Sequence, residues 1–120
     1  MPRINVPKNE LDNEIVPAGE YLCRVNTTKL ITKEGKSDSL LVDWVVEGVD
    51  PPAGQHIGDF FSMHEAARWR LGNLIRGLDY EPGETGFNSE DLHGLQSNLT
   101  VEEEEWEGAK RNKVKAYRRP

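Results

Sequence analysis

Hydrophobic and polar residues alternate along three segments in the first half of the chain, a pattern typical of β-strands with one buried face. The first strand begins at Gly19, the second covers residues 39–47 and the third covers residues 55–62. The side chains predicted to face the core from the first two strands are Tyr21, Cys23, Val25, Leu40, Val42, Trp44 and Val46. In the third strand Phe60 and Phe61 are adjacent, so only one of them is predicted to face the core.

The hydrophobic period then changes from two residues to about 3.6, which predicts one α-helix. Ser62-Met-His-Glu65 matches a capping box, in which the serine oxygen and the glutamate carboxylate each accept a hydrogen bond from a free backbone N–H. The apolar positions at helical spacing are Ala67, Leu71, Leu74 and Leu78. Gly77 is typical of a helix end. Two more strands are predicted over residues 95–105 and 110–119.

The predicted elements follow in the order strand, strand, strand, helix, strand, strand, which indicates a mainly β fold. A five-stranded OB-fold-like barrel with one helix between strands 3 and 4 has this order. A generic α+β sheet with one covering helix fits the same order. Residues 1–17 contain three prolines and no sustained period, so they are predicted to form an N-terminal arm. Residues 18–120 are predicted to form a single OB-fold-like domain.

The last two predicted strands form a hairpin whose register is indicated by its apolar residues. With the turn centred on Glu107-Gly108, Val101 lies opposite Val114 and Leu99 lies opposite Ala116. A shift by one residue would turn this apolar set towards water, which is strongly disfavoured.

The same register predicts which charges of the hairpin are neutralised. Three acidic residues of the predicted strand 95–105 lie opposite basic residues of the predicted strand 110–119. The pairs are Glu102 with Lys113, Glu104 with Arg111, and Glu105 with Lys110. Lys115, Arg118 and Arg119 have no acidic partner in this register. Tyr117 is predicted to share the outer face of the strand with Lys115 and Arg119.

Charge composition adds a functional hypothesis to this fold. The chain has 120 residues, with 21 acidic and 15 basic side chains and a formal net charge of −6. Six of the 15 basic residues, and none of the acidic ones, lie in the last eleven positions together with Tyr117. A basic segment that carries an aromatic side chain indicates a surface that binds a polyanion such as nucleic acid.

Motifs for catalysis and metal binding are absent from the sequence. There is no GK[ST] phosphate loop, no HExxH and no CxxC pair. We therefore predict a protein that is not an enzyme and needs no cofactor or metal. The lone cysteine, Cys23, and the lack of an export signal or of an apolar run of about 18–20 residues predict a cytoplasmic location without membrane association.

Single-stranded nucleic acid is usually held by cations along its backbone and by aromatic side chains under its bases. OB-folds that bind oligonucleotides use strands 2 and 3 and the loops between strands 1–2 and 4–5. The side chains predicted to contact phosphates are Lys33, Lys36, Lys115, Arg118 and Arg119. The predicted stacking platforms are Phe60, Trp106 and Tyr117. Packing over the barrel end is the alternative role for Trp106.

Several short motifs resemble those of a phage and prophage family catalogued as a domain of unknown function. They are Gly19-Glu-Tyr21, Leu40-Leu-Val-Asp-Trp44, Leu71-Gly-Asn-Leu74, Leu92-His-Gly94, Gly108 and Arg111-Asn-Lys-Val114. Members of that family look like OB-fold proteins that bind single-stranded DNA or take part in recombination. The resemblance covers about a hundred residues and implies an accessory role in phage replication or recombination, with proteins of those processes as possible partners in the host cytoplasm.

The sequence thus predicts a non-catalytic protein that binds single-stranded DNA with little sequence preference. The main alternative is an acidic protein-interaction module that binds or inhibits a host DNA-acting enzyme. The cluster Glu102–Glu107 favours that alternative, because carboxylates at suitable spacing imitate the phosphates of DNA.

Overall fold

Five antiparallel strands form one sheet with the strand order β3-β2-β1-β4-β5. The computed structural model describes residues 15–32, 34–35, 37–84 and 86–120, with the backbone alone at position 106. The strands are β1 (Gly19–Ile31), β2 (Ser39–Val46), β3 (His56–Ser62), β4 (Gln96–Trp106) and β5 (Ala109–Arg118). The helix α1 (Arg68–Gly77) lies between β3 and β4 and follows a 3₁₀ turn, Glu65–Ala67, while a second 3₁₀ turn covers Ser89–Leu92. The predicted mainly β fold, with five strands and one helix between strands 3 and 4, is confirmed.

The sheet is not closed into a barrel. The strands β3 and β5 are its two edges, each hydrogen-bonded to a neighbouring strand on one side within the described residues. The two edges nevertheless come into contact, and α1 packs against both of them. A gap bordered by β3, β5 and α1 is the result. No helix in the described part of the chain is both long and apolar enough to cross a membrane.

The core lies on the face of the sheet that the alternating pattern predicts. In β2 the alternate residues are buried, and Trp44 is completely enclosed. The predicted core residues of the first two strands are all buried except Tyr21, which packs partly buried against the others. In β3 the side chain of Phe61 is buried whereas that of Phe60 points outwards, which confirms that only one of the two faces the core.

The predicted N-terminal arm, residues 1–17, lies mostly outside the described residues, which begin at Ile15. Val16 lies within that predicted arm, and its side chain is buried in the core. Asn112 of β5 holds the Val16 backbone at both polar groups. The Asn112 side-chain oxygen accepts from the Val16 N–H at 2.9 Å, and its amide nitrogen donates to the Val16 carbonyl at 2.6 Å.

The predicted capping box at Ser62 and Glu65 is wrong. The Ser62 hydroxyl accepts from the His64 N–H at 3.2 Å, and the His64 ring accepts from the Ala66 N–H at 3.2 Å. These two short-range bonds support the 3₁₀ turn that precedes α1. The chain therefore enters the α-helix at Arg68, about one turn later than the capping box predicts.

The predicted hairpin register is confirmed from the turn as far as Val101. Glu105 pairs with Lys110, and Val101 pairs with Val114, around a two-residue turn in which Glu107 and Gly108 have φ of 50° and 81°. The register shifts between Thr100 and Val101, where β5 contains one extra residue. Because of this bulge Leu99 pairs with Tyr117. The predicted pairing of Leu99 with Ala116 is therefore wrong.

Candidate functional site

A groove of about 1300 Å³ occupies the gap between the two edges of the sheet. One wall is β3, from His56 to Phe60, and the other is β5, from Ala109 to Tyr117. Trp69, Arg70 and Asn73 of α1 border one end of the groove. The groove exists because β3 and β5 approach each other without pairing along their length.

Three polar side chains join the elements that surround the groove. The Tyr117 hydroxyl of β5 donates a hydrogen bond to the carboxylate of Asp59 in β3. Arg70 of α1 lies 3.3 Å from the same carboxylate and donates a second bond, of 2.8 Å, to the carbonyl oxygen of Phe60. We name Asp59, Arg70 and Tyr117 the clasp, because their bonds connect β3, α1 and β5.

The clasp is packed among aromatic side chains. The Tyr117 ring lies 6.2 Å from the ring of Trp44 and 6.0 Å from that of Phe61, measured between centroids. The Arg70 guanidinium lies 4.9 Å from the centre of the Phe61 ring, a cation–π distance. The two edges of the sheet are therefore connected by apolar packing as well as by the polar bonds.

Burial acts in the same direction on both acidic groups of the clasp. It raises the pKa of Asp59, while the Tyr117 hydrogen bond and the Arg70 charge act in the opposite direction. Burial, followed by the Asp59 charge, also raises the pKa of Tyr117, so the phenol stays protonated and donates a hydrogen bond to the carboxylate. The buried indole N–H of Trp44 forms no hydrogen bond of ordinary geometry, but it is close enough to favour the charged form of Asp59.

Two exposed aromatic side chains border the groove. Phe60 of β3 is 58% exposed, and Trp69 of α1 is 66% exposed, although both are large and apolar. Phe60 is one of the predicted stacking platforms, whereas Trp69 has no predicted function. The sequence signal for an exposed Trp69 was its position two residues before Leu71 and five before Leu74, which places it off the apolar face of the helix.

The basic residues of β5 that have an acidic partner differ in part from those that the hairpin register predicts. Lys110 and Lys113 line the groove, and no carboxylate oxygen among the described residues lies within 4 Å of either ammonium group. Arg111 is held by Glu104, as its register predicts. Lys115 lies 3.3 Å from Glu102, the residue whose predicted partner is Lys113. The predictions that Lys110 and Lys113 are neutralised across the hairpin, and that Lys115 is unpaired, are therefore wrong.

The arginines near the end of β5 also have acidic partners. Arg118 bonds to Glu20 of β1, and Arg119 lies 3.3 Å from Asp79, just after α1. These partners belong to elements outside the hairpin, so its register does not indicate them. The prediction that Arg118 and Arg119 have no acidic partner is wrong for this reason.

The predicted outward orientation of Tyr117 is also wrong. The bulge in β5 reverses the alternation of side chains after Val114, so Tyr117 points into the core beside Leu99. Tyr117 thus supports the groove from below as a member of the clasp. Its ring packs beside those of Trp44 and Phe61 and its hydroxyl is bonded to Asp59, so the side chain is held in place as part of the clasp.

The remaining predicted site residues are not described at the side-chain level. Lys33 and Lys36 lie outside the described residues. Trp106 ends β4 and pairs with Ala109 through its backbone, and its side chain also lies outside the description. The structure therefore brings Phe60 and Lys115 together at one groove, with Arg118 and Arg119 beyond it.

No protein-family model matches this chain, and no curated protein is similar to it in sequence. The resemblance to a phage and prophage family of unknown function, whose members look like OB-fold proteins that bind single-stranded DNA, stays a prediction.

Proposed function

We propose that the groove between β3 and β5 binds single-stranded DNA without catalysing a reaction. The observation that carries this proposal is the location of Phe60 and Trp69, two exposed aromatic side chains that border the same groove as Lys110 and Lys113. Aromatic faces bind unpaired bases, each stack contributing roughly 1–3 kcal/mol, and cations bind the phosphates between them.

The chemistry of the groove favours a single strand over a duplex. Stacking on Phe60 and Trp69 requires bases whose faces are free, and the bases of a duplex already stack on each other. Stacking also discriminates little among the four bases, because each has an aromatic face. We therefore propose binding with low sequence preference, as an accessory function in phage replication or recombination.

The arrangement of the strands supports an OB-fold for this chain. An OB-fold is a five-stranded, partly open barrel whose ligand face includes strands 2 and 3. Here β3 and β5 face each other across the groove, and the exposed aromatic Phe60 lies on β3. We propose that the gap between them is the open part of such a barrel.

The acidic cluster gives less support to the alternative of a DNA-mimicking interaction module. Two of its carboxylates are already bound within the hairpin, Glu102 by Lys115 and Glu104 by Arg111. Carboxylates held by neighbouring cations imitate a row of phosphates poorly, because the paired charge cancels much of their field.

Fluorescence anisotropy of labelled oligo-dT, titrated at low and at moderate salt, tests the proposed function. We expect binding that weakens steeply with salt, since each neutralised phosphate releases a counterion. Trp69→Ala and Phe60→Ala should each weaken binding about 5- to 150-fold, the equivalent of losing one stack.

Leu30→Ala is the matched control, because Leu30 is an exposed apolar residue of β1 that does not line the groove. Its affinity should equal that of the unmodified protein. Lack of binding at low salt would refute the proposal and favour the interaction module. Equal losses in the Leu30 and Trp69 variants would show that the groove is not the binding site.

A further inference from the structure

A second, smaller cavity of about 400 Å³ adjoins the groove where α1 ends against β5. It shares the lining residues Asn73, Lys115 and Tyr117 with the groove, so the two lie side by side. Its lining residues are Asn73, Arg76, Gly77, Lys115, Ala116, Tyr117, Arg118 and Arg119. Four of these eight residues carry a positive charge and none is acidic, which makes this cavity more uniformly basic than the groove.

The carboxylates that pair with these cations lie outside the cavity lining. Glu102, Glu20 and Asp79 hold Lys115, Arg118 and Arg119 from the surrounding surface. The three cationic side chains are 64–70% exposed in these pairs. Exposed ion pairs of this kind contribute little to stability, so the cations remain available to an anion that enters the cavity.

The end of α1 does not repel an anion as strongly as a bare helix C-terminus does. The Arg76 carbonyl accepts hydrogen bonds from the Asp79 N–H and from Arg119 Nε, each at 3.1 Å. The Leu74 carbonyl accepts from the Leu78 N–H at 3.0 Å. The cavity is also lined by Arg76 and Arg119. Each guanidinium group keeps donors beyond the one bonded to Asn73 or to the Arg76 carbonyl, and such forked donors suit phosphate oxygens.

We infer that this cavity binds one phosphate group of a DNA strand whose bases occupy the groove. The inference rests on the proposed function and adds a path for the strand to it. The backbone runs along β5 from Lys110 and Lys113, near the hairpin turn, past Lys115 to Arg76 and Arg119. Lys115 lines both cavities and connects the two parts of this path.

The salt dependence of oligo-dT binding tests this inference with the double variant Arg76→Ala/Arg119→Ala. For single-stranded DNA each neutralised phosphate contributes about −0.7 to the slope of log K against log salt. We expect the double variant to have a slope shallower by about 0.7, and we expect Trp69→Ala to weaken binding without changing the slope.

The matched control is Arg24→Ala/Arg68→Ala, which removes one strand arginine and one helix arginine outside both cavities. Arg24 is paired with Glu47, as Arg119 is with Asp79. If both double variants change the slope equally, or neither changes it, the inference is overturned. If the parent protein does not bind DNA at all, the proposed function fails first, so the two failures are distinguishable.

A single variant guards against loss of folding in the double variant. The Arg76 guanidinium bonds to Asn73 of its own helix, so Arg76→Ala leaves the Arg119–Asp79 pair in place. The salt slope of Arg76→Ala should lie between those of the parent and the double variant. Its melting curve should match that of the parent. An unchanged slope in the folded single variant would contradict the inference.

Oligonucleotides with a 5′-phosphate, a 3′-phosphate or neither distinguish the source of the phosphate. A gain in affinity from one terminal phosphate, lost in Arg76→Ala/Arg119→Ala, assigns the cavity to that strand end. If the three oligonucleotides bind with equal affinity, and Arg76→Ala/Arg119→Ala still makes the salt slope shallower, the cavity binds a phosphate within the strand. Both results support the inference.

Discussion

At the scale of single residues, the clasp is the least expected feature of this protein. Asp59 is a carboxylate on the inner face of β3, where the neighbouring inward residues are Ile57 and Phe61. A buried charge is costly unless it is paired and hydrogen-bonded. Tyr117 and Arg70 supply those partners from two other elements, so a polar residue in the core connects the open sides of the sheet.

Tyr117→Phe should lower the free energy of unfolding by about 2 kcal/mol at neutral pH, because it removes a hydrogen bond to a buried charge. Burial raises the pKa of Asp59, and the Tyr117 bond opposes that rise. The variant's Asp59 therefore protonates at a higher pH than the parent's. Once Asp59 is protonated in both proteins, the loss of the Tyr117 hydroxyl costs less free energy. The difference in unfolding free energy between parent and variant should therefore narrow as pH falls through the two Asp59 pKa values.

Urea denaturation at several pH values, from neutral down into the acidic range, measures this difference. Tyr21→Phe is the control, since the Tyr21 hydroxyl donates to the Pro17 carbonyl at 2.7 Å and to no carboxylate. Its stability difference from the parent should not vary over this range. A Tyr117→Phe difference that stays constant or widens on acidification would contradict the role of the clasp.

At the scale of elements, the packing of α1 on β5 depends on a very close backbone approach. A Cβ atom at Gly77 would lie 2.4 Å from the Cβ of Tyr117 and 3.1 Å from its carbonyl carbon. The helix thus fits against the strand because position 77 has no side chain. This contact sets the end of the groove, since Trp69 and Arg70 lie on the same helix.

Gly77→Ala should destabilise the protein by about 1–3 kcal/mol, because the added methyl group forces α1 and β5 apart. Gly72→Ala on the same helix is the control. Its Cβ would meet the flexible end of Arg76 at 3.4 Å, so the higher helix propensity of alanine should leave stability equal or slightly increased. Thermal melts of the two variants measure the contrast, and equal effects would show that the close approach is unimportant.

At the scale of the whole molecule, an acidic protein presents a basic groove. The formal net charge is −6, yet the groove and the cavity beside it collect cations from β5 and α1. Local arrangement therefore matters more than total charge for a ligand in the groove, because screening shortens the reach of distant charges to about 8–10 Å at ordinary salt.

Lys113→Gln should weaken oligo-dT binding and make its salt slope shallower by about 0.7, because one phosphate contact is lost. Lys29→Gln changes the net charge by the same amount on β1, outside the groove. Its slope should match that of the parent. Equal changes in the two variants would mean that overall charge, and not the groove, governs binding.

Sequence patterns predicted the strands well because each pattern reflects local geometry. The alternation through Trp44 determined which face of β2 is buried, and the hairpin residues from Val101 to Val114 specified their register. The pattern failed at the bulge, since Val114 and Ala116 continue an apolar alternation that the backbone does not follow. One extra residue then turned Tyr117 inwards, and with it changed the predicted site.

The sequence by itself determined the number of strands, the buried faces of β1 and β2, the placement of one helix between β3 and β4, and the hairpin register from the turn to Val101. Each of these follows from a hydrophobic repeat of two residues in a strand or about 3.6 residues in a helix. Local backbone geometry sets both repeats. Only the tertiary structure decided that the sheet stays open, that Trp69 and Phe60 border one groove, and that Lys115, Arg118 and Arg119 have acidic partners. These outcomes depend on residues far apart in the chain, whose contacts no local period encodes.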